Sequence, residues 1–211
     1  MGQFIGNNIF AIITAIIAVI ALWQTHRQIT ISNKHQLFDK RVDRFITING
    51  LISLFKESKH LMDKEDYDHF IDVTVLFHSL TNNIYLKDIG TIIDNVEQED
   101  IRQNFLIKLE EIKKLSIEMK FLFNGDCINL IKEFVYEYQE LLRLMYKEKI
   151  ILNRILEKNS KNSTEFIKLQ KEFGERKFRE DLYTEYDKIK QLYEAIIEKN
   201  IINNIENQIK L

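Results

Sequence analysis

The chain has 211 residues, 45% hydrophobic and 29% charged, enough for one domain of ordinary size plus one membrane segment. A formal net charge of −2 leaves no overall electrostatic footprint for a phosphate backbone, so no direct nucleic-acid partner is expected. Cys127 is the single cysteine, which excludes an intrachain disulfide, and the lack of proline, with only six glycines, leaves few signals that end helices.

From Phe4 to Trp23 no side chain is charged. At a rise of about 1.5 Å per residue this stretch covers the roughly 30 Å hydrocarbon core of a bilayer, so a transmembrane helix is expected. Met1-Gly2-Gln3 has no basic side chain and Leu22-Trp23-Gln24 is a poor cleavage site, so the segment reads as a retained anchor rather than a cleaved signal. Trp23 belongs at the headgroup level. Beyond it, Arg27, Lys34, Lys40, Arg41 and Arg44 form a membrane-proximal basic group opposed by Asp39 and Asp43. The positive-inside rule then puts the N-terminus outside and the remainder in the cytoplasm.

The span carries a pattern. Steps of four and three residues from Asn7 lead through Ala11, Thr14, Ala18, Ala21, Thr25 and Gln28 to Ser32 and His35, and every stop is small or polar. The residues between are mostly isoleucine. Such an alternation marks one helix face, and in lipid a face without bulky side chains meets either another helix or water. Three readings stay open: a helix–helix contact, a homo-oligomeric ring whose lumen is lined by this seam and narrowed at Ala18 and Ala21, or no special role.

After Ser32, residues Leu37, Phe38, Phe45, Ile48, Leu51, Ile52 and Phe55 recur at helical spacing, with only Asn33 as a weak break. Asp63 or Asp66 is a candidate N-cap for a helix bearing Phe70, Val73, Leu76, Phe77 and Leu80 on one face. A short segment weakened by Gly90 follows, then a charged periodic stretch that stops at Asn124-Gly125. Asp126 is placed to cap the next long helix, and "NSKNS" at 159–163 reads as a loop, with Asn162 and Glu165 at capping-box spacing. From Thr164 a long helical array runs through Phe166 to Ile196. The final "NIINNIENQIKL" reads as a frayed end or an oligomer contact.

The expected fold is all-α: one N-terminal transmembrane helix with its juxtamembrane stalk (1–32) continuing into a cytoplasmic antiparallel helical bundle (33–211).

Chemistry is sparse. His60, His69 and His78 follow one another at nine-residue intervals, as do His26 and His35. Nine residues is half a turn out of phase on a helix, so neighbours in either series do not share a metal. Asp66, His69 and Asp72 do share a face, but no second helix supplies the matching Glu-x-x-His, and a solvated face is the simpler reading. Nucleotide-binding, hydrolase and zinc motifs are missing. No catalytic residue, metal or cofactor is expected.

The single span, the basic turn "NKHQLFDKR" and a bundle with a central "EMKFLF" before a long amphipathic helix together resemble small bacterial membrane proteins of antiphage defence. Among these the chain is most similar to the accessory membrane protein encoded beside the RNA-targeting nuclease Cas13b. The resemblance implies a HEPN-like bundle (the fold of higher eukaryotic and prokaryotic nucleotide-binding proteins), a ring-shaped homo-oligomeric pore in the bacterial inner membrane, and a Cas13b-type effector, or a signal from it, as partner. Active ribonucleases of that fold carry Arg and His separated by four to six residues. No arginine here has a histidine at that distance; Arg27 and His35 come nearest. The expected function is a non-enzymatic pore-forming effector or accessory, with a membrane-tethered ribonuclease and an anchored scaffold for a cytosolic partner as alternatives.

Overall fold

The computed structural model describes residues 2–62, 84–95, 99–126, 128–158 and 163–209. These hold seven helices and no strand: α1 (Gly2–Met62), α2 (Ile84–Asp94), α3 (Glu99–Leu122), α4 (Ile128–Lys158), α5 (Ser163–Phe173), α6 (Glu175–Glu198) and α7 (Ile201–Ile209). The all-α class is as expected. The chain divides into two compact units, Met1–Val42 and Asp43–Leu211. Asn33 does not interrupt α1, no glycine falls between Gly6 and Gly50, and from Ile12 onward the first buried side chain along the helix is that of Ile48.

The second unit is built around α4. Its apolar stripe of Ile131, Phe134, Tyr138, Leu141, Leu142 and Met145 recurs every three or four residues and is buried throughout. From the C-terminal part of α1, Phe55 sits among four aromatic rings: edge-on to Phe134 at 6.0 Å, and near Tyr186 and Tyr193 at 5.4 Å and Tyr138 at 6.5 Å. Such pairs add about 0.5–1.5 kcal/mol beyond their area burial.

Helices α3 and α4 are antiparallel. Phe105 stacks on Tyr146 at 4.2 Å near one end, while the Ser116 hydroxyl donates to the Lys132 carbonyl oxygen at 2.9 Å near the other. The turn between them lies where the sequence puts it. Gly125 has φ 107°, a conformation that glycine adopts without a Cβ clash, and the Ile128 N–H returns to its carbonyl oxygen. This turn is held from afar: the Gln208 side-chain amide accepts from the Asn124 N–H at 2.7 Å and donates to the Asn124 carbonyl at 2.8 Å.

The long array from Thr164 to Ile196 is two helices, α5 and α6, with the tail forming α7 after them. Gly174 (φ 64°) separates α5 from α6, and Asn200 (φ 51°) separates α6 from α7, both in the left-handed region. Glycine and asparagine are the residues that reach it most cheaply, and the apolar periodicity continues across both breaks. The tail is likewise not frayed, because Ile201 and Ile205 of α7 are fully buried in the core. The Asp63 and Asp66 caps with their following face, Asn162, Cys127 and the Asp66-His69-Asp72 triplet lie outside the described residues.

Candidate functional site

Two regions combine residues in ways that the core does not require. The first is α1 before Asp43. Every side chain from Ile12 to Leu37 is exposed, including Ile12, Ile16, Ile17, Val19, Leu22 and Trp23 at 53–71%. Exposed apolar residues scattered singly are ordinary, but a continuous run of them is not. Among the described residues α1 is the one helix long and apolar enough to cross a membrane, and none of its apolar window is buried.

Thr14, Ala18, Ala21, Thr25 and Gln28 are all exposed on this helix, and Asn7 and Ala11 are helical positions of it. The Thr25 hydroxyl donates to the Ala21 carbonyl oxygen at 2.8 Å, and the Thr30 hydroxyl to that of His26 at 3.0 Å. Both donors are thus satisfied within the helix, which makes them tolerable where water is scarce.

The basic residues are spread along α1. Arg27 lies over the Trp23 ring at 5.9 Å, while Lys34 and Lys40 are exposed and Arg41 is half-buried. Arg44 belongs to the second unit, where its guanidinium pairs with Glu118 of α3 at 2.7 Å. Arg27 and His35 are both exposed.

The second region, between α4 and α6, is one that sequence reasoning missed. Four glutamates lie there at two levels. At one, Glu137 of α4 pairs with Lys188 of α6 at 2.6 Å beside Glu185, whose Oε1 is buried without a hydrogen-bond partner. At the other, Glu175 of α6 accepts from Arg179 Nε at 2.9 Å and Nη2 at 2.5 Å, and more loosely from Gln170 of α5 at 3.4 Å, beside Glu148 of α4. Glu175 and Glu148 are only 1% and 2% exposed. Neither oxygen of Glu148 has a hydrogen-bond partner.

Burial first, then the Glu175 charge, pushes the Glu148 carboxyl up to about 7 against the opposing pull of Arg179. Glu185 also rises to about 7, by burial and then by the neighbouring Glu137 carboxyl, opposed by Lys188. An open groove of about 770 Å³ adjoins this level, with Gln170, Gly174, Glu175, Arg179 and Tyr183 in its lining. A signal for these residues exists in the sequence. Glu137 and Glu148 fall in phase with the stripe of Phe134, Leu141 and Met145, and Glu185 lies midway between Leu182 and Ile189, where an apolar side chain belongs.

No group of three or more His, Cys, Asp or Glu side chains suited to a metal occurs among the described residues. No protein-family model matches the chain, and no curated protein or solved structure matches it significantly.

Proposed function

We propose that the chain is a homo-oligomeric, single-span membrane protein in which α1 crosses the bacterial inner membrane, N-terminus outside, and copies meet along the seam from Asn7 to Gln28. One observation carries this reading. A helix whose isoleucines are all exposed over several turns, with one face stripped to alanine, threonine and glutamine, suits lipid on its flanks and its own kind on the seam. A ring assembled this way encloses small uncharged side chains, which admit water without holding it strongly, and so acts as a pore. Its place in antiphage defence, HEPN-like character of the bundle and coupling to a Cas13b-type effector rest on the resemblance in layout.

The native mass of the full chain in mild detergent, compared with a chain beginning at Gln24, tests the assembly. A closed ring of many full-length chains that falls apart without the span supports it, and a monomer from both overturns it. Liposome leakage then tests the pore: Ala18→Trp and Thr14→Lys change leakage while the bundle stays folded, whereas unchanged leakage from an assembled variant removes the lumen.

An anchored scaffold is the second reading, favoured by a different observation. On α3, Leu106, Ile107, Ile117 and Phe121 are 48–72% exposed, a stripe fit for a cytosolic partner. One stable partner bound by the bundle, with no leakage from the full chain, selects it.

A further inference from the structure

Among the described residues, the α4–α6 helix pair holds more buried acid than it has base. Glu137 and Glu185 face each other with one cation, Lys188, and Glu148 and Glu175 face each other with one cation, Arg179. The register is that of antiparallel neighbours. About three turns along α4 from Glu137 to Glu148 match about three turns back along α6 from Glu185 to Glu175, so the levels lie roughly 16 Å apart. With all four carboxyls ionised, each level carries one surplus negative charge, fully buried at the Glu148–Glu175 level and partly buried at the other.

Geometry at both levels calls for a proton. At the first level Glu185 Oε1 is buried and receives no hydrogen bond, while Lys188 is held by Glu137 instead, which suits a neutral acid better than an anion. Glu148 has two buried oxygens that receive no hydrogen bond, a poor site for an anion and a tolerable one for a neutral acid. Other charges bearing on these groups are few. Glu140 of α4 adds to the negative field at Glu185 but is itself held by Arg143 at 2.5 Å. Tyr183 of α6 acts on Arg179, Tyr136 of α4 acts on Lys188, and α5 contributes the neutral Gln170.

We propose that the α4–α6 interface is a proton-operated clamp: one proton at the Glu137–Glu185 level and one at the Glu148–Glu175 level close it, and their loss loosens it. The direction follows from linkage. Carboxyls that titrate near 7 when folded and near 4.5 when unfolded keep their protons longer in the fold. Their stabilisation is complete below about 4.5 and is lost as pH rises through about 7, so the bundle is tighter on the acid side of neutrality. The clamp is independent of the membrane reading, because it lies wholly within the second unit.

The test uses the full chain in mild detergent, melted at pH 5.5 and pH 8. Glu148→Gln and Glu185→Gln mimic the protonated acids. Each is expected to raise the melting temperature at pH 8 by about 2–5 °C, to leave it nearly unchanged at pH 5.5, and in combination to flatten the pH dependence between the two. Equal destabilisation of both variants at both pH values overturns the proposal, since the ionised groups then hold the fold. Infrared spectroscopy of the unaltered chain gives a reading that does not depend on variants. A protonated-carboxyl band that persists at pH 6 and fades by pH 8 supports the clamp, and a band already gone by pH 6 refutes it.

Discussion

Helix α1 contains two stretches with the same backbone and opposite fates. Ile12, Ile16 and Ile20 are at least half exposed, whereas Ile48, Leu51 and Phe55 have 0–1% of their surface left to solvent. The difference lies in the distribution of apolar residues around the helix. In the early stretch they occupy every direction except the Ala/Thr seam, so no single face of a protein could cover them. In the later stretch they form one stripe with Asn49, Ser53 and Glu57 exposed outside it, and one packed face is enough. Hydrophobic content alone therefore does not tell which stretch of a helix packs into a core; its angular spread does.

Phe55→Ala should break the later stretch most severely. Removing the ring shared by Phe134, Tyr138, Tyr186 and Tyr193 is expected to cost about 3–5 kcal/mol in urea unfolding of the full chain in detergent. Next in size, Ser116→Ala leaves the Lys132 carbonyl without its side-chain donor and should cost about 1–2 kcal/mol. Gly174→Ala meets no atom within 4 Å but puts a Cβ on a left-handed backbone, for a loss of about 1–2 kcal/mol, with Gly174→Asn milder by the same measurement.

Arg44→Ala should lose under about 1 kcal/mol, since its pair with Glu118 is partly exposed and Lys114 also reaches that carboxylate. Raised salt should shrink this loss further. At the small end, Ile16→Ala should move the unfolding midpoint of the bundle by less than about 0.5 kcal/mol, because it touches no core. A large shift there would erase the contrast between the two stretches.

Much of this fold was legible. The stripe from Ile48 to Phe55, the stop at Asn124-Gly125 and the long helix after it all follow from apolar periodicity and a glycine at a turn. The break at Gly174 was not, because it costs one residue and leaves the periodic pattern in place on both sides. The glutamates between α4 and α6 were hidden for another reason. A charged residue in phase with an apolar stripe can be read from one helix, but which opposing side chain meets it depends on the register between two helices, and no single-helix pattern contains that. The exposed seam of α1 was the reverse case, visible as spacing before any fold was known.

The paired hydrogen bonds between Gln208 and Asn124 also bear on motion. They join residues 84 positions apart through a single side chain, so the end of α3 is secured only while α7 stays docked on Ile201 and Ile205. A nine-residue helix is too short to persist alone, and its release and return form one cooperative local opening. The Asn124 amide should therefore exchange its hydrogen in step with those of α7, far along the chain, and ahead of the buried centre of α4.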